Sequence, residues 1–324
     1  MAVTLVDHAM QSANQGKEVQ SLIAYWFLEE SNLAQILPFA SNLQLALQIT
    51  SMNTLPTIGT RKINASFSES SGTFEQKVEG KYIFGHEIDV DTVLVKADPS
   101  ERQTQREMSA HAMAFKFNDM FINGNPASDE FKGIKMRVGD VYNAGIYTNN
   151  YIDAGSATIN RGMLYDTTDR QYFMDNISKL IDVTVGHRSS ALFMNSKMYL
   201  AFEACFRREN VLRQDKDMFG RIINVYQDVP LLRIGVKADQ STEVIPLDED
   251  LSGGSEETSI YSVRFGEKMY LWGLQQEPMT VNDLGEVSDA PVYRDRVQWV
   301  VGLGVANPMS IARAYGFVPT NQAS

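Results

Sequence analysis

The stretch FINGNPASDEFKGI, residues 121–134, ends a long amphipathic helix that the preceding residues predict. Gly124 stands where a left-handed C-terminal cap favours glycine, and Pro126 cannot continue a helix because it lacks a backbone N–H. Phe131 and Ile134 follow in an otherwise polar loop. The sequence therefore predicts a definite end for this helix.

The start of the same helix lies in ADPSERQTQRE, residues 97–107. Asp98 is a favourable N-cap, Pro99 falls at the first helical position, and Glu101 completes a capping-box arrangement. We therefore expect a helix over residues 99–123, about 36 Å long at about 1.5 Å per residue, whereas helices of globular proteins average about 11–12 residues. Its apolar residues form two neighbouring stripes, Met108, Ala112 and Phe115 in one and Met113, Phe117 and Phe121 in the other.

Composition indicates a globular chain. Of the 324 residues, 44% are hydrophobic and 21% are charged. The sequence contains no run of about 18 apolar residues, which a membrane-spanning helix would need. The net charge of −11 disfavours binding to nucleic acid through phosphate neutralisation. The single cysteine, Cys205, cannot form an internal disulfide. Because residues 1–19 lack the basic-then-apolar pattern of a secretory signal, we expect a protein made and used in a cytoplasm.

Residues 18–37, EVQSLIAYWFLEESNLAQIL, predict a second amphipathic helix, which Pro38 ends. Its apolar residues recur at helical spacing and are Val19, Leu22, Ile23, Trp26 and Phe27. Two interpretations remain open from the residues alone. Either the helix packs on the core of its own chain, or it is an arm that packs on a neighbouring subunit.

A polar hairpin is predicted before the long helix. Residues 63–67 and 73–83 alternate like two β-strands joined around SESSG, with Gly72 at the turn. The pair has few apolar residues on either face over most of its length. Because a two-stranded ribbon is only marginally stable alone in water, it needs a surface to lie on, from its own domain or from another subunit.

The rest of the chain alternates helices with strands and predicts an α+β fold in at least two lobes with extensions. RSSALFMN, residues 188–195, predicts a buried strand that ends in a cap, and the following residues predict a helix with Tyr199, Phe202 and Phe206 on one face. Late strands are expected at residues 259–265, 268–274 and 292–306, followed by a short closing helix at residues 308–316. An acidic loop at residues 239–258 is expected to be solvated.

The sequence carries no catalytic signature, and we predict no catalytic residue, no cofactor site and no metal site. GLGVAN, from Gly302, lacks the third glycine of a dinucleotide fingerprint and lies within a predicted strand. DEDLSGGSEETS, from Asp248, resembles a calcium loop, but Ser259 stands where a bidentate carboxylate belongs. Glu107 and His111 share a helix face without a further metal ligand. An enzyme whose site is assembled from distant residues remains an alternative.

Several elements, in order along the chain, resemble the major capsid proteins of tailed bacteriophages, whose fold encapsulin shells share. They are the N-terminal helix ending in ILPF, the hairpin FSESSGTFEQKVEGKY, the helix between ADPSERQTQRE and FINGNPASDEFKGI, and the late YRDRVQWVVGLGVANPMSIARAYG. The resemblance covers nearly the whole chain. It implies a structural subunit that self-assembles into hexamers and pentamers of an icosahedral shell enclosing the genome.

The resemblance also implies a division into an N-arm, an extended hairpin called the E-loop, a peripheral (P) domain and an axial (A) domain. The N-arm takes residues 1–38 and the E-loop takes residues 60–85. The P-domain takes residues 39–59, residues 86–134 with a spine helix at 99–123, and return strands at 268–304. The A-domain takes residues 135–267, and residues 305–324 form its C-terminal segment and the tail.

In such a shell the N-arm and the E-loop make contacts between subunits. For the N-arm we expect contacts at Leu22, Ile23, Trp26 and Phe27. For the E-loop we expect them at Arg61, Lys62, Glu69, Glu75, Lys77, Glu79 and Lys81.

The implied partners are further copies of the chain, a separate scaffolding protein, a portal protein and, in a decorated shell, a decoration protein. The shell would enclose double-stranded DNA without sequence-specific binding, and it would need no cofactor and no membrane. Its implied location is the virion, assembled in the host cytoplasm. The alternatives are an encapsulin-type shell that encloses enzymes and an α+β enzyme with a dispersed active site.

Overall fold

A computed structural model describes residues 3–15, 17–154, 167–211, 213–216, 220–249 and 257–319 of the chain. The helices are α1 (Leu5–Asn14), α2 (Glu18–Glu30), α3 (Asn32–Ile36), α4 (Thr92–Ala97), α5 (Glu101–Asn123), α6 (Ile134–Asn143), α7 (Thr167–Asp182) and α8 (Ser196–Arg208). Short 3-10 turns lie at Pro126–Ser128, Thr148–Asn150, Val185–His187 and Pro308–Ser310.

The strands form two sheets and a separate two-stranded ribbon. They are β1 (Val3–Thr4), β2 (Pro38–Ser41), β3 (Ala46–Thr54), β4 (Thr73–Gly80), β5 (Tyr82–Asp91), β6 (Tyr151–Asp153), β7 (Ala191–Met194), β8 (Arg213–Lys216), β9 (Ile222–Tyr226), β10 (Val229–Arg233), β11 (Thr258–Val263), β12 (Leu271–Gln275), β13 (Thr280–Glu286), β14 (Val292–Val305) and β15 (Ile311–Phe317). The predicted α+β fold class is confirmed.

The first sheet is built around β14, a strand of 14 residues. β5 runs antiparallel along one edge of β14, from Tyr82 opposite Val301 to Asp91 opposite Val292. β12 and β13 pair in succession with the other edge, and β2 and β1 continue the sheet beyond β12. Side chains of α1, α2 and α5 share one hydrophobic core with this sheet.

The second sheet has the strand order β6-β15-β11-β7-β10-β9-β8 and packs against α7 and α8. β7 leads into Asn195, whose side chain accepts a hydrogen bond from the backbone N–H of Met198 and caps α8. The structure therefore has a buried strand, a cap and a helix at the positions where the sequence predicts them.

The predicted closing helix at residues 308–316 is wrong. Pro308–Ser310 is a 3-10 turn, and Ile311–Phe317 is strand β15, between β6 and β11 in the second sheet. All residues of β15 except Tyr315 are buried. A short apolar run buried on both faces lacks the alternation that distinguishes a strand from a helix.

The long helix α5 begins at Glu101 and ends at Asn123, within the predicted span of residues 99–123. The predicted N-cap is wrong, because the Asp98 carboxylate accepts hydrogen bonds from the N–H and the hydroxyl of Ser100, and Ser100 is the N-cap residue. Of the two predicted stripes, the second faces the core, with Met113, Phe117 and Phe121 buried.

Gly124 ends α5 for a reason different from the predicted one. Its φ and ψ are −50° and 136°, so it is not a left-handed cap. A Cβ at Gly124 would lie 2.3 Å from the carbonyl oxygen of Phe131 and 2.4 Å from that of Met120. The N–H of Gly133 donates to the carbonyl oxygen of Gly124 at 2.8 Å, so the loop folds back against the helix end. Glycine is needed here because two backbone segments touch.

Arginine–aspartate pairs hold the first half of α5 against β14 and β13. Arg102 Nη2 lies 2.7 Å from Asp295 Oδ1 and 2.9 Å from Asp283 Oδ1. Arg106 donates to both oxygens of Asp295, at 2.8 and 2.9 Å. The hydrogen bond from Arg102 lowers the pKa of Asp283. Asp295 is fully buried, so its charge depends on these two arginines one helical turn apart.

The second half of α5 packs through aromatic rings. The Phe117 centroid lies 5.3 Å from that of Trp299 in β14 and 6.0 Å from that of Phe131. Phe27 of α2 and Phe39 of β2 contact the same Trp299 ring, at centroid distances of 5.8 and 5.2 Å. Such pairs contribute about 0.5–1.5 kcal/mol each beyond area burial. The stretch that ends α5 therefore also places Phe131 in the core.

We expect Gly124→Ala to destabilise the isolated chain by about 1–3 kcal/mol, because the added Cβ overlaps two carbonyl oxygens. Gly139→Ala is the matched control. Gly139 lies within α6, and a Cβ there meets nothing within 4 Å, so alanine should be neutral or stabilise by up to about 1 kcal/mol. Chemical denaturation measures both variants, and equal stabilities would contradict the close contact at Gly124.

Candidate assembly surfaces

The ribbon of β3 and β4 carries an exposed connecting loop. Its antiparallel register runs from Ala46 opposite Gly80 to Thr54 opposite Thr73. Residues 55–72 form the loop between the two strands and lie outside any helix or strand.

The predicted hairpin is correct for β4 and wrong for its partner strand. Residues 63–67 are irregular, and within the described ranges no strand pairs with them. β4 pairs instead with β3, so the two strands and their loop span residues 46–80, whereas the predicted E-loop spans residues 60–85. A long loop between two paired strands leaves no turn signal beside either strand, so the local pattern could not identify β3.

Apolar and ionic contacts fasten the base of the ribbon. Ile49 of β3 is buried with Trp272 and Leu274 of β12. Arg137 of α6 donates two hydrogen bonds to the Glu79 carboxylate, at 2.6 and 2.8 Å. A paired, largely buried arginine and glutamate of this kind fix orientation as well as distance. The base of the ribbon is therefore held by its own chain.

Lys81, which follows β4, is buried beside the same base. Its ammonium donates to the carbonyl oxygens of Asn42 and Gln275, the latter at 3.0 Å. Burial lowers the pKa of Lys81. These bonds connect the chain at the ribbon base to strand β12.

The predicted E-loop contact residues therefore separate into two groups. Glu79 and Lys81 have partners in their own chain, which fasten the ribbon base, and their predicted contact with another subunit stays a prediction. The other predicted residues keep exposed surface, and they are Arg61, Lys62, Glu69, Glu75 and Lys77.

The loop carries exposed apolar side chains. Ile58 and Ile63 are 91% and 92% exposed. Leu55, Phe67 and Phe74 are exposed on and beside the same loop. Burial of each against another surface would contribute roughly 1.5–3 kcal/mol. Apolar side chains concentrated on one exposed segment indicate an interaction surface. This agrees with the prediction that the ribbon needs a further surface to lie on.

Helices α1 and α2 lie on the core of their own chain. Ile23 and Phe27 are fully buried, and the Phe27 ring contacts that of Phe117. The prediction that Ile23 and Phe27 contact a neighbouring subunit is therefore wrong, because another subunit cannot reach them. Trp26 is half-buried against the same core, and Leu22 is 42% exposed. Of the four predicted N-arm contacts, these two keep surface for a partner.

A buried ionic cluster lies between α6 and the second sheet. Glu249 Oε2 lies 2.8 Å from Arg313 Nη2, and Glu249 Oε1 lies 2.9 Å from Lys135 Nζ. Burial by itself raises the pKa of Glu249, but the charges of Arg313 and Lys135 outweigh burial and hold that pKa below its ordinary value. Both carboxylate oxygens are engaged by cations, so the arrangement suits a structural ion pair rather than proton transfer.

The segments considered as cofactor or metal sites have structural roles where they are described. Gly302 lies within β14, and a Cβ there would lie 2.6 Å from the carbonyl oxygen of Gly80. The lack of a side chain at Gly302 therefore leaves room for the ribbon base. The calcium-like segment from Asp248 falls partly outside the described residues. Burial raises the pKa of the Cys205 thiol to about 11, which makes this thiol unreactive.

In the described part of the chain, no cluster of three or more histidine, cysteine, aspartate or glutamate side chains could hold a metal ion. His111 Nδ1, on the helix face shared with Glu107, lies 3.5 Å from Glu30 Oε2. Across the same residues, no helix combines the length and apolar character needed to cross a membrane.

Neighbouring residues of α2 allow a matched test of the N-terminal packing. Ile23→Ala should destabilise the subunit by about 2–5 kcal/mol, because it leaves a cavity in the core. Leu22→Ala should change the stability by less than about 1 kcal/mol, because Leu22 is partly exposed. Urea denaturation of the unassembled subunit measures the difference. Similar effects of both substitutions would show that α2 does not lie on its own core.

The Glu249 ion pair predicts a pH dependence of stability. Its folded-state pKa is lowered, so the pair stabilises the chain above the ordinary glutamate pKa of about 4.3, and this contribution is lost as the pH falls through the folded-state value. Glu249→Gln should cost about 3–5 kcal/mol at neutral pH, because it leaves Arg313 unpaired.

The stability difference between wild type and Glu249→Gln should shrink below about pH 4. Unfolding free energies measured from neutral to acid pH test this. Glu69→Gln, in the exposed loop, is the matched control and should change stability by less than about 0.5 kcal/mol at every pH. A difference for Glu249→Gln that persists unchanged into acid would contradict the ion pair.

No protein-family model matches the chain, and no curated protein matches it in sequence. Solved structures match its fold. The holo-SrpI encapsulin complex from Synechococcus elongatus has a TM-score of 0.61 and 13% identity, covering 90% of this chain and 89% of that chain. The capsid of a native GTA particle has a TM-score of 0.59 and 15% identity, covering 88% and 89%. A structure from Microbacterium phage Oxtober96 has a TM-score of 0.57 and 12% identity, covering 89% and 91%.

These matches extend over most of both chains in each case, so they concern the overall fold rather than one shared motif. At identities of 12–15% they concern the fold alone. The chain therefore has the fold shared by phage capsid proteins and encapsulin shell proteins.

Proposed function

We propose that the chain is the major capsid protein of a tailed bacteriophage, a structural subunit that self-assembles into hexamers and pentamers of an icosahedral shell around the genome. The observation that carries this proposal is the loop at residues 55–72, whose apolar side chains are exposed in the single subunit. A neighbouring subunit that buries them offsets the ordering cost of about 1–2 kcal/mol per residue. The fold shared with capsid and encapsulin shells supports the same function.

The assignment of domains follows from the two sheets. We assign the ribbon with its loop, residues 46–80, to the E-loop, the first sheet with α5 to the P-domain, and the second sheet to the A-domain. The chain order supports this division, because β12, β13 and β14 return to the first sheet after α7 and α8. The N-arm contact is then the exposed face of α2, at Val19, Leu22 and Tyr25.

The contents and partners of the shell follow from the same proposal. The net charge of −11 supports a wall that encloses double-stranded DNA without binding its sequence. Beyond its own copies, the subunit would meet a separate scaffolding protein, a portal protein and, in a decorated shell, a decoration protein. It would be assembled in the host cytoplasm and end in the virion. The chain is assigned a structural role and no enzymatic activity.

An encapsulin-type shell is the second candidate, because the encapsulin match has a TM-score of 0.61 against 0.59 for the GTA capsid. The two candidates differ in what the shell contains. Particles purified from cells that carry the gene in its native context should protect DNA from added nuclease if the chain is a phage capsid protein. Particles that hold protein cargo and no protected DNA would favour the encapsulin-type shell.

We expect the double substitution Ile58→Asp and Ile63→Asp to leave the subunit folded and to prevent stable particles. Both side chains are more than 90% exposed in the subunit, so aspartate costs little there, but in the shell each carboxylate would be buried against a neighbour without a partner. Circular dichroism checks the fold, and negative-stain microscopy with sedimentation velocity checks assembly.

The double substitution Ile58→Val and Ile63→Val is the matched control, because it keeps both side chains apolar and should keep assembly. Particles of normal yield and stability from the aspartate variant would exclude the loop as an assembly surface. Monomers or dimers from the wild-type chain under every condition, including co-expression with a scaffolding protein, would contradict the shell function itself.

A further inference from the structure

A chain of hydrogen bonds runs from the core to helix α1. Trp299 Nε1 lies 3.1 Å from Gln275 Oε1, and Gln275 Nε2 lies 3.0 Å from His8 Nε2. Gln275 Nε2 also lies 3.1 Å from the hydroxyl of Ser41. Trp299 is 1% exposed and Gln275 is fully buried. The His8 ring of α1 is thus in direct contact with a buried amide of β12.

The direction of each bond follows from the chemistry of its groups. The indole N–H of Trp299 can only donate, so the oxygen of the Gln275 amide must face it. The amide nitrogen then faces His8, and an amide nitrogen can only donate. His8 Nε2 must therefore accept. This requires a neutral imidazole whose proton is on Nδ1.

Protonation of His8 would break this arrangement. A charged imidazolium carries an N–H on Nε2, which would then oppose the N–H of Gln275. Turning the Gln275 amide over does not help, because its nitrogen would then oppose the N–H of Trp299. A buried donor without an acceptor destabilises the contact that contains it. The contact between α1 and β12 is therefore compatible with neutral His8 and incompatible with charged His8.

The surroundings of His8 let it exchange protons with solvent. An open groove of about 270 Å³ reaches the ring and is lined by Lys17, before α2, and by Glu277, after β12. On α1 itself the nearest charged group is Asp7. Burial lowers the pKa of His8, and the charge of Asp7 opposes burial only in part.

We propose that His8 is a pH-sensitive latch, which holds α1 against β12 while neutral and releases α1 when protonated. Other contacts also attach α1. Leu5 and Val6 are buried at its start, α2 packs against it, and the Ser21 hydroxyl donates to the carbonyl oxygen of Ala9 at 3.1 Å. Loss of the His8 contact therefore weakens the docking of α1 against β12, while the contacts of α1 with α2 remain. The latch does not depend on the shell function, because every group in it belongs to one chain.

The sign of the pH effect follows from the lowered pKa of His8. Freed from its contact, His8 would titrate near its ordinary pKa of about 6.5. Because the docked state favours the neutral ring, docking of α1 is strongest above about pH 6.5 and weakens as the pH falls below that value. Docking of α1 reaches its weakest level once the pH has fallen below the pKa that His8 has in the docked state.

Amide hydrogen exchange of the full chain, measured by mass spectrometry and corrected for intrinsic rates, tests the latch. From about pH 7.5 to about pH 5, the protection of α1 amides in the wild type should fall by about threefold or more, because the released state can hold a protonated His8 and the docked state cannot. Amides of β5 are the internal control. They report any general loosening of the first sheet, together with any effect of His86, which is exposed on that strand.

Two variants decide the outcome. His8→Gln keeps an acceptor in reach of Gln275 and cannot be protonated, so its α1 protection should stay constant over the same pH range. His8→Lys carries a permanent charge there, so its α1 amides should exchange at pH 7.5 as fast as those of the wild type at pH 5. Constant protection in the wild type, or an equal loss in wild type and His8→Gln, would overturn the latch. Neither result would bear on shell assembly, which the substitutions at Ile58 and Ile63 test separately.

Discussion

The contact between helix α5 and strand β14 combines two interactions with different chemistry. Near the end of α5, Phe117 packs against Trp299, and Phe27 and Phe39 contact the same indole ring, which attaches α2 and β2 to this point. Near its start, Arg102 and Arg106 satisfy the buried charge of Asp295. Apolar packing is strong but not directional, whereas two arginines on one carboxylate fix the rotation and register of the helix. The rest of the first sheet depends on this contact, because β5, β12 and β13 all pair with β14.

The ribbon combines a base that is held by its own chain with a loop that is exposed. Its base has a buried apolar contact at Ile49 and a paired glutamate and arginine at Glu79 and Arg137. Its loop, residues 55–72, is exposed and carries apolar side chains. Stability is distributed unevenly within a protein, and a segment with few buried contacts gains little free energy when it becomes ordered. A firm base with an unsupported loop is the arrangement expected of a segment whose remaining contacts come from another molecule.

Gln275 joins the N-terminal helix to the ribbon through two different groups. Its side-chain amide bonds Trp299, Ser41 and His8, and its backbone carbonyl oxygen accepts from the N–H of Asn42 and from Lys81. A buried polar network of this kind is stabilising only while every member has a partner of the right type. A change in the protonation of His8 therefore acts on a residue that also holds the ribbon base. Helix α1 and the ribbon base are therefore both attached to one strand, β12.

The sequence by itself determined the features encoded within a few residues. Helix α5 was predicted to within two residues at its start, because Pro99 and Pro126 limit a helix from either side, and β7 with the Asn195 cap and α8 was located from its own pattern. The tertiary structure alone decided the partner of β4, the burial of Ile23 and Phe27, the strand β15 and the contact that requires Gly124. The first three depend on residues far apart in the chain, as Lys81 and Gln275 are, and the last depends on a loop that folds back against the end of α5. Local patterns record which side chains can be buried, but which surface buries them is set only when the chain has folded.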